Sequence, residues 1–173
     1  MPIESQGQSL RDVDFSAWTE PDPGLEERDF LAAWLRYQRH EFVRKLRDLE
    51  PDQLVAWSVP PVALSVLGLV RHMTQMEHVW LSCGLGGGEL AMPYGEDDYA
   101  GGSVQTVERD LRSYFDEVER GNAAIGAMGS LEAEGLGHGR SLRATLVKMI
   151  DEYALHAGQA HMLRFAALGE MLR

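Results

Sequence analysis

The chain has 173 residues, 45% of them hydrophobic, and a mass of 19.3 kDa, which suits one domain around a single core and excludes disorder as the default. With 27 acidic residues against 16 basic ones its formal net charge is -11, which makes nucleic acid and anionic membrane surfaces poor partners. The one cysteine, Cys83, excludes an internal disulfide and points to a reducing cytoplasm.

Residues 1–21 show no clear period and read as an irregular N-terminal arm, with Phe15 and Trp18 as candidates to tuck against the body. No charged segment followed by an apolar run opens the chain, so no signal peptide is expected. Residues 22–173 read as one bundle. Asp22-Pro23 predicts a helix start, an N-cap acceptor followed by proline at the first helical position. Phe30, Leu31, Trp34, Leu35, Gln38, Phe42, Leu46 and Leu49 then recur at helical spacing. Pro51-Asp52 ends this helix or opens a short extra turn, and Val59-Pro60-Pro61 breaks the chain again.

A second helix follows through Leu64, Leu67, Val70, Met73, Met76, Val79 and Trp80, ending near Cys83-Gly84. Arg71-His72 and Glu77-His78 interrupt its apolar runs, which argues against a membrane span. The glycine-rich stretch 84–102 reads as a loop bordering a pocket, and Glu96-Asp97-Asp98 within it as a solvated turn. Ser103 is expected to cap a third helix through Val107, Leu111, Tyr114, Phe115 and Val118, kinked or frayed beyond Gly121. After a loop over 129–139, Ser141 caps a fourth helix with Leu142, Leu146, Met149, Ile150, Tyr153, His156, Ala160 and Leu163 inward. No alternating strand pattern competes, so the expected fold class is all-α, a helical bundle.

Chemistry concentrates on the second and fourth helices. Glu152 and His156 are four residues apart, one turn along one face, so carboxylate and imidazole can converge on a small object. If His72 reaches in from a packed neighbour, two His and one carboxylate surround an open position, a ligand set for a divalent transition metal. The competing reading is ordinary: a hydrogen-bonded core His72 and a helical Glu152–His156 pair. His161 lies about 140° around the helix from His156 and is expected outside the ligand set, in a solvated or supporting role. His78 is expected at the surface or between helices, while His40 and His138 show no constellation. Cys83 has no neighbouring base in the sequence, and Met73 and Met76 read as core filling.

Several words together resemble the DinB-like superfamily of four-helix bundles, in its branch of mycothiol-dependent transferases and maleylpyruvate isomerase. They are Glu27-Arg28-Asp29-Phe30-Leu31 with Tyr37-Gln38-Arg39, then Leu67-Gly68-Leu69-Val70-Arg71-His72-Met73 with Glu77 and Trp80. Ser141-Leu142-Arg143 and Met149-Ile150-Asp151-Glu152-Tyr153-Ala154-Leu155-His156-Ala157-Gly158 complete them. The resemblance spans about residues 24–168 and implies an up-down-down-up bundle, often a homodimer. It also implies a divalent metal, zinc first and nickel second, on His72, Glu152 and His156. Gln159 departs from the branch and matches the wider superfamily, and Ala144 stands where a tryptophan is common.

The expected function is metal-dependent transfer of a low-molecular-weight thiol such as mycothiol to a small electrophile. Gln159 is expected to orient a ligand, and Arg164 to hold a reactant carboxylate or form a surface salt bridge. The alternatives are a non-catalytic or stress-related metal-binding bundle and a metal-dependent hydrolase.

Overall fold

The computed structural model describes residue 10 and residues 19–170, so most of the expected arm, Phe15 and Trp18 included, lies outside the described residues. Helix α1 (Glu27–Leu46) precedes a short α2 (Pro51–Val55). Next come α3 (Val66–Met76), a π-helical segment (Glu77–Ser82) and α4 (Cys83–Gly86), which continue one another. A 3₁₀ turn (Val104–Thr106) leads into α5 (Val107–Ala127), and α6 (Leu142–Leu168) closes the bundle. The described residues form no strand, only an isolated bridge between Glu134 and Ser141.

Contacts between helix ends define the topology. Arg143 at the start of α6 binds Glu27 at the start of α1 (Nε–Oε1 2.7 Å), and Arg164 near its end meets carbonyls at the end of α1, so these two helices run parallel. Arg71 near the start of α3 faces Asp110 near the start of α5 (3.6 Å), and Ser82 binds Glu117 farther along, so this pair is parallel too. Arg28 at the start of α1 donates to the Ile125 carbonyl near the end of α5 (3.1 Å), which sets the pairs against each other. The result is the expected up-down-down-up order. Leu35, Phe42, Leu46, Leu67, Met73, Tyr114, Leu146 and Tyr153 fill its interior, each apolar side chain stabilising by roughly 1.5–3 kcal/mol.

Local chemistry departs from the expected boundaries at three places. Asp22 does not open α1; its carboxylate accepts from the Gly24 N–H (2.8 Å) in a preceding turn, and the helix begins at Glu27. Pro51 does open an extra turn, with the Glu50 N–H donating to Gln53 Oε1 (2.9 Å). Gly121 does not end α5, which continues as helix to Ala127. A Cβ there would stand 2.9 Å from Glu77 Oε2, so glycine is the residue that lets α5 close on the π segment. In that segment the Cys83 N–H donates five residues back to His78, the wider turn that the apolar spacing did not foretell.

Candidate metal centre

α3 and α6 cross where His72 faces Glu152 and His156. Ser65 caps α3 through the Gly68 N–H (3.0 Å) and Ser141 caps α6 through the Ala144 N–H (3.2 Å), so both are ordered helices from their first turns. One donor atom from each of His72, Glu152 and His156 lies within 4.8 Å of the other two. The two imidazole rings are 4.6 Å apart at an angle of 64°, and His156 Nε2 stands 3.3 Å from Glu152 Oε2. The structure thus brings together the three residues singled out from the sequence.

Each imidazole is held through its other nitrogen. His72 Nδ1 meets Asp98 Oδ2 at 2.8 Å, and His156 Nδ1 meets Gln159 Oε1 at 2.8 Å. Such outer partners fix ring orientation and tautomer and direct the remaining nitrogen inward. Gln159 therefore stands where the sequence expects a supporting residue. Burial, opposed by Asp98, pushes the His72 pKa below the ordinary imidazole range, so the ring is neutral and able to donate its lone pair near pH 7. Burial disfavours charge on Glu152, but the hydrogen bond and charge of Lys148, with His156, outweigh it and hold the carboxyl below its usual range.

Asp98 corrects the reading of Glu96-Asp97-Asp98 as a solvated turn. It is 6% exposed and also accepts from Gln75 Nε2 (3.0 Å) and the Tyr99 N–H (2.9 Å). The loop that carries it is clamped by Arg71, whose Nε donates to the Asp98 carbonyl (2.8 Å) and whose guanidinium lies 4.3 Å from the Tyr94 ring centre. Tyr99 then stacks on His72 at 4.4 Å and 17°, forming a wall of the cluster. Its hydroxyl is pushed up to about 12 by burial and by the charges of Asp98 and Glu152, so it remains protonated. Gly68 makes this approach feasible, because a Cβ there would lie 2.2 Å from the Tyr99 carbonyl oxygen. A glycine inside an otherwise apolar helix was the one signal in the sequence that another backbone comes close. Asp98→Asn is expected to lower divalent-metal affinity about 10- to 100-fold, read by chelator competition; unchanged affinity would show that His72 needs no such anchor.

The other singled-out residues fall elsewhere. Arg164 is not at the cluster: its guanidinium binds the carbonyls of Lys45 (3.3 Å) and Arg47, capping the end of α1. His161 packs edge-on against Phe165 at 4.9 Å and stays outside the triad. His78 lies between helices, with Nδ1 at 3.1 Å from Glu117 Oε1. It also supplies the base that Cys83 lacked in the sequence, with Sγ 3.3 Å from Nε2 and 3.8 Å from Nδ1. Those two distances put the sulfur beside the ring rather than in line with a nitrogen lone pair, so proton transfer is poorly aligned. His138, expected to have no constellation, bridges the Trp80 carbonyl (3.1 Å) and the Arg140 N–H (3.0 Å).

Residues 30–169 match the family model described as mycothiol-S-transferase. No curated protein and no solved structure gave a match.

Proposed function

The chain belongs to the mycothiol S-transferase family within the DinB-like superfamily, and from that premise we propose a metal-dependent thiol S-transferase. The observation that carries this reading is the convergence of His72, Glu152 and His156 within 4.8 Å, with both imidazoles braced from behind. Two imidazole nitrogens and one carboxylate fit a divalent ion, with zinc the first choice and nickel the second. Bound there, such an ion supplies Lewis acidity that lowers the pKa of a thiol and favours the nucleophilic thiolate.

The chain's own residues do the rest. Asp98 and Gln159 hold the rings in one tautomer, and Tyr99 shields one side of the cluster from water while remaining protonated. Three protein donors among the described residues, rather than four, favour an open reactive site over a closed structural one. The thiol S–H bond breaks and its proton leaves to solvent, a carbon–sulfur bond forms, and the bond from that carbon to its leaving group breaks, releasing for a halobimane the halide ion. Cytoplasmic location belongs to the same proposal and fits the unpaired Cys83; a homodimer is proposed on family resemblance alone. No described helix is long and apolar enough to cross a membrane.

Zinc-loaded protein is expected to consume a bimane electrophile above the uncatalysed rate with mycothiol present and not without a thiol. Failure with mycothiol, bacillithiol and glutathione alike, in protein shown to be fully metallated, would sink the transferase reading.

A further inference from the structure

Beside the candidate metal centre lies a second group of side chains, gathered on Trp80. The loop before α6 is docked onto α4 by main-chain bonds, Leu136 N–H to the Leu85 carbonyl (3.1 Å) and Gly137 N–H to the Gly84 carbonyl (3.0 Å). Within it the Gly135 N–H donates to the Arg140 carbonyl (2.8 Å), and the Arg140 N–H donates to His138 Nδ1 (3.0 Å). That bond leaves the His138 proton on Nε2, which donates to the Trp80 carbonyl (3.1 Å). The backbone of Arg140 is therefore built into place. Its guanidinium rests 4.9 Å from the centre of the Trp80 ring and meets no carboxylate among the described residues.

Lys148 approaches the same ring, its Nζ 6.0 Å from the centre. Among the described residues its carboxylate partner is Glu152 Oε1, while the other Glu152 oxygen faces His156. Two cations thus share one indole, and one of them touches the cluster where a thiol is proposed to bind. With Lys148 paired to Glu152, Arg140 is the cation of the two that lacks a carboxylate among the described residues, in a chain of net charge -11. At physiological salt, fields from exposed charges fade within about 8 Å, so a small anion at this spot responds to these cations more than to distant carboxylates.

We propose that Arg140 and Lys148, gathered on the Trp80 ring beside Glu152, form an anion-binding subsite for a carboxylate carried by one of the two reactants. The inference rests on the transferase reading for the word reactant, and on the loop and ring geometry for the subsite. Arg140 presents a planar donor fork suited to a carboxylate, and Lys148 places a second donor nearer the cluster. A carboxylate held here leaves the rest of its molecule close to Glu152 and His156.

Calorimetric titration of the zinc-loaded full chain tests it with two matched pairs: N-acetylcysteine against N-acetylcysteinamide, and chloroacetate against chloroacetamide. At least one acid is expected to bind about 10-fold more tightly than its amide, the scale of one charge-assisted hydrogen bond. Arg140→Met should shrink that gap and leave amide binding unchanged, Lys148→Met should shrink the ratio of acid to amide affinity as well, and Arg140→Lys should keep most of it. The acid that shows the gap identifies whether the thiol or the electrophile carries the carboxylate. Equal binding of acids and amides, or a gap that survives the double Met variant, would overturn the subsite. The titration needs no turnover and is repeated without zinc, so failure of the transferase reading leaves the subsite decidable.

Discussion

His156→Ala is expected to abolish stable zinc binding, a loss beyond the roughly 10- to 100-fold that removal of an outer partner costs. The reason is positional. His156 is 4% exposed, its Nδ1 is tied to Gln159, and its Nε2 lies against Glu152 at the centre of the cluster. Alanine leaves one imidazole and one carboxylate, one donor short of the three that an open site uses to hold its ion. Metal content of freshly purified and dialysed protein measures this directly, with the helical circular dichroism signal reporting that the bundle persists. Wild-type stoichiometry in the variant would remove His156 from the site and return His72 and His156 to the ordinary role of core histidines.

A second large effect is expected away from the cluster, in the bundle interior. Glu77→Ala should destabilise the fold by about 3–5 kcal/mol, because it leaves a buried guanidinium without its countercharge. Arg39 binds both Glu77 oxygens, Nε to Oε1 at 2.8 Å and Nη2 to Oε2 at 2.7 Å, and its Nη1 donates to Asn122 Oδ1 at 2.7 Å. The Tyr153 hydroxyl donates to Glu77 Oε1 at 2.5 Å and pairs with the Tyr114 hydroxyl at 3.1 Å. Burial alone would favour loss of the Arg39 proton, but the Glu77 charge outweighs it and keeps the guanidinium ionised. Domains are commonly stable by only about 5–15 kcal/mol, so the loss would be plain in a urea unfolding curve. Replacing both partners by methionine should cost less than removing either alone. A single-variant change below about 1 kcal/mol would mean that water enters and solvates the stranded charge.

This network was invisible beforehand for a physical reason. Arg39 and Glu77 each read as polar positions on amphipathic helices, where such residues normally face solvent. Glu77 lies four residues past Met73 and seven past Val70, on the buried face of its helix, and glycine at position 121 lets α5 approach closely enough to enclose it. Neither feature names the arginine that α1 brings to that point. Asp98 was missed for a related reason: it lies in a glycine-rich acidic stretch whose composition describes a loop, and nothing local says that the loop folds back over His72. Arg164 shows the converse error, since a lone cation two turns beyond His156 looks available for substrate until the end of α1 is placed beside it.

What the sequence determined by itself was whatever depends on short-range periodicity and residue chemistry. Four helical segments, the cap at Ser141, their inward faces and the Glu152–His156 pair one turn apart all follow from spacing along one chain. The tertiary structure alone decided which distant groups meet: Asp98 with His72, Glu77 with Arg39, and Arg140 with Lys148 on Trp80. Local helix preference is a property of neighbours a few residues apart. Partnership across the bundle depends instead on where rigid helices cross and how closely glycines let backbones approach, and those distances exist only once the chain has packed.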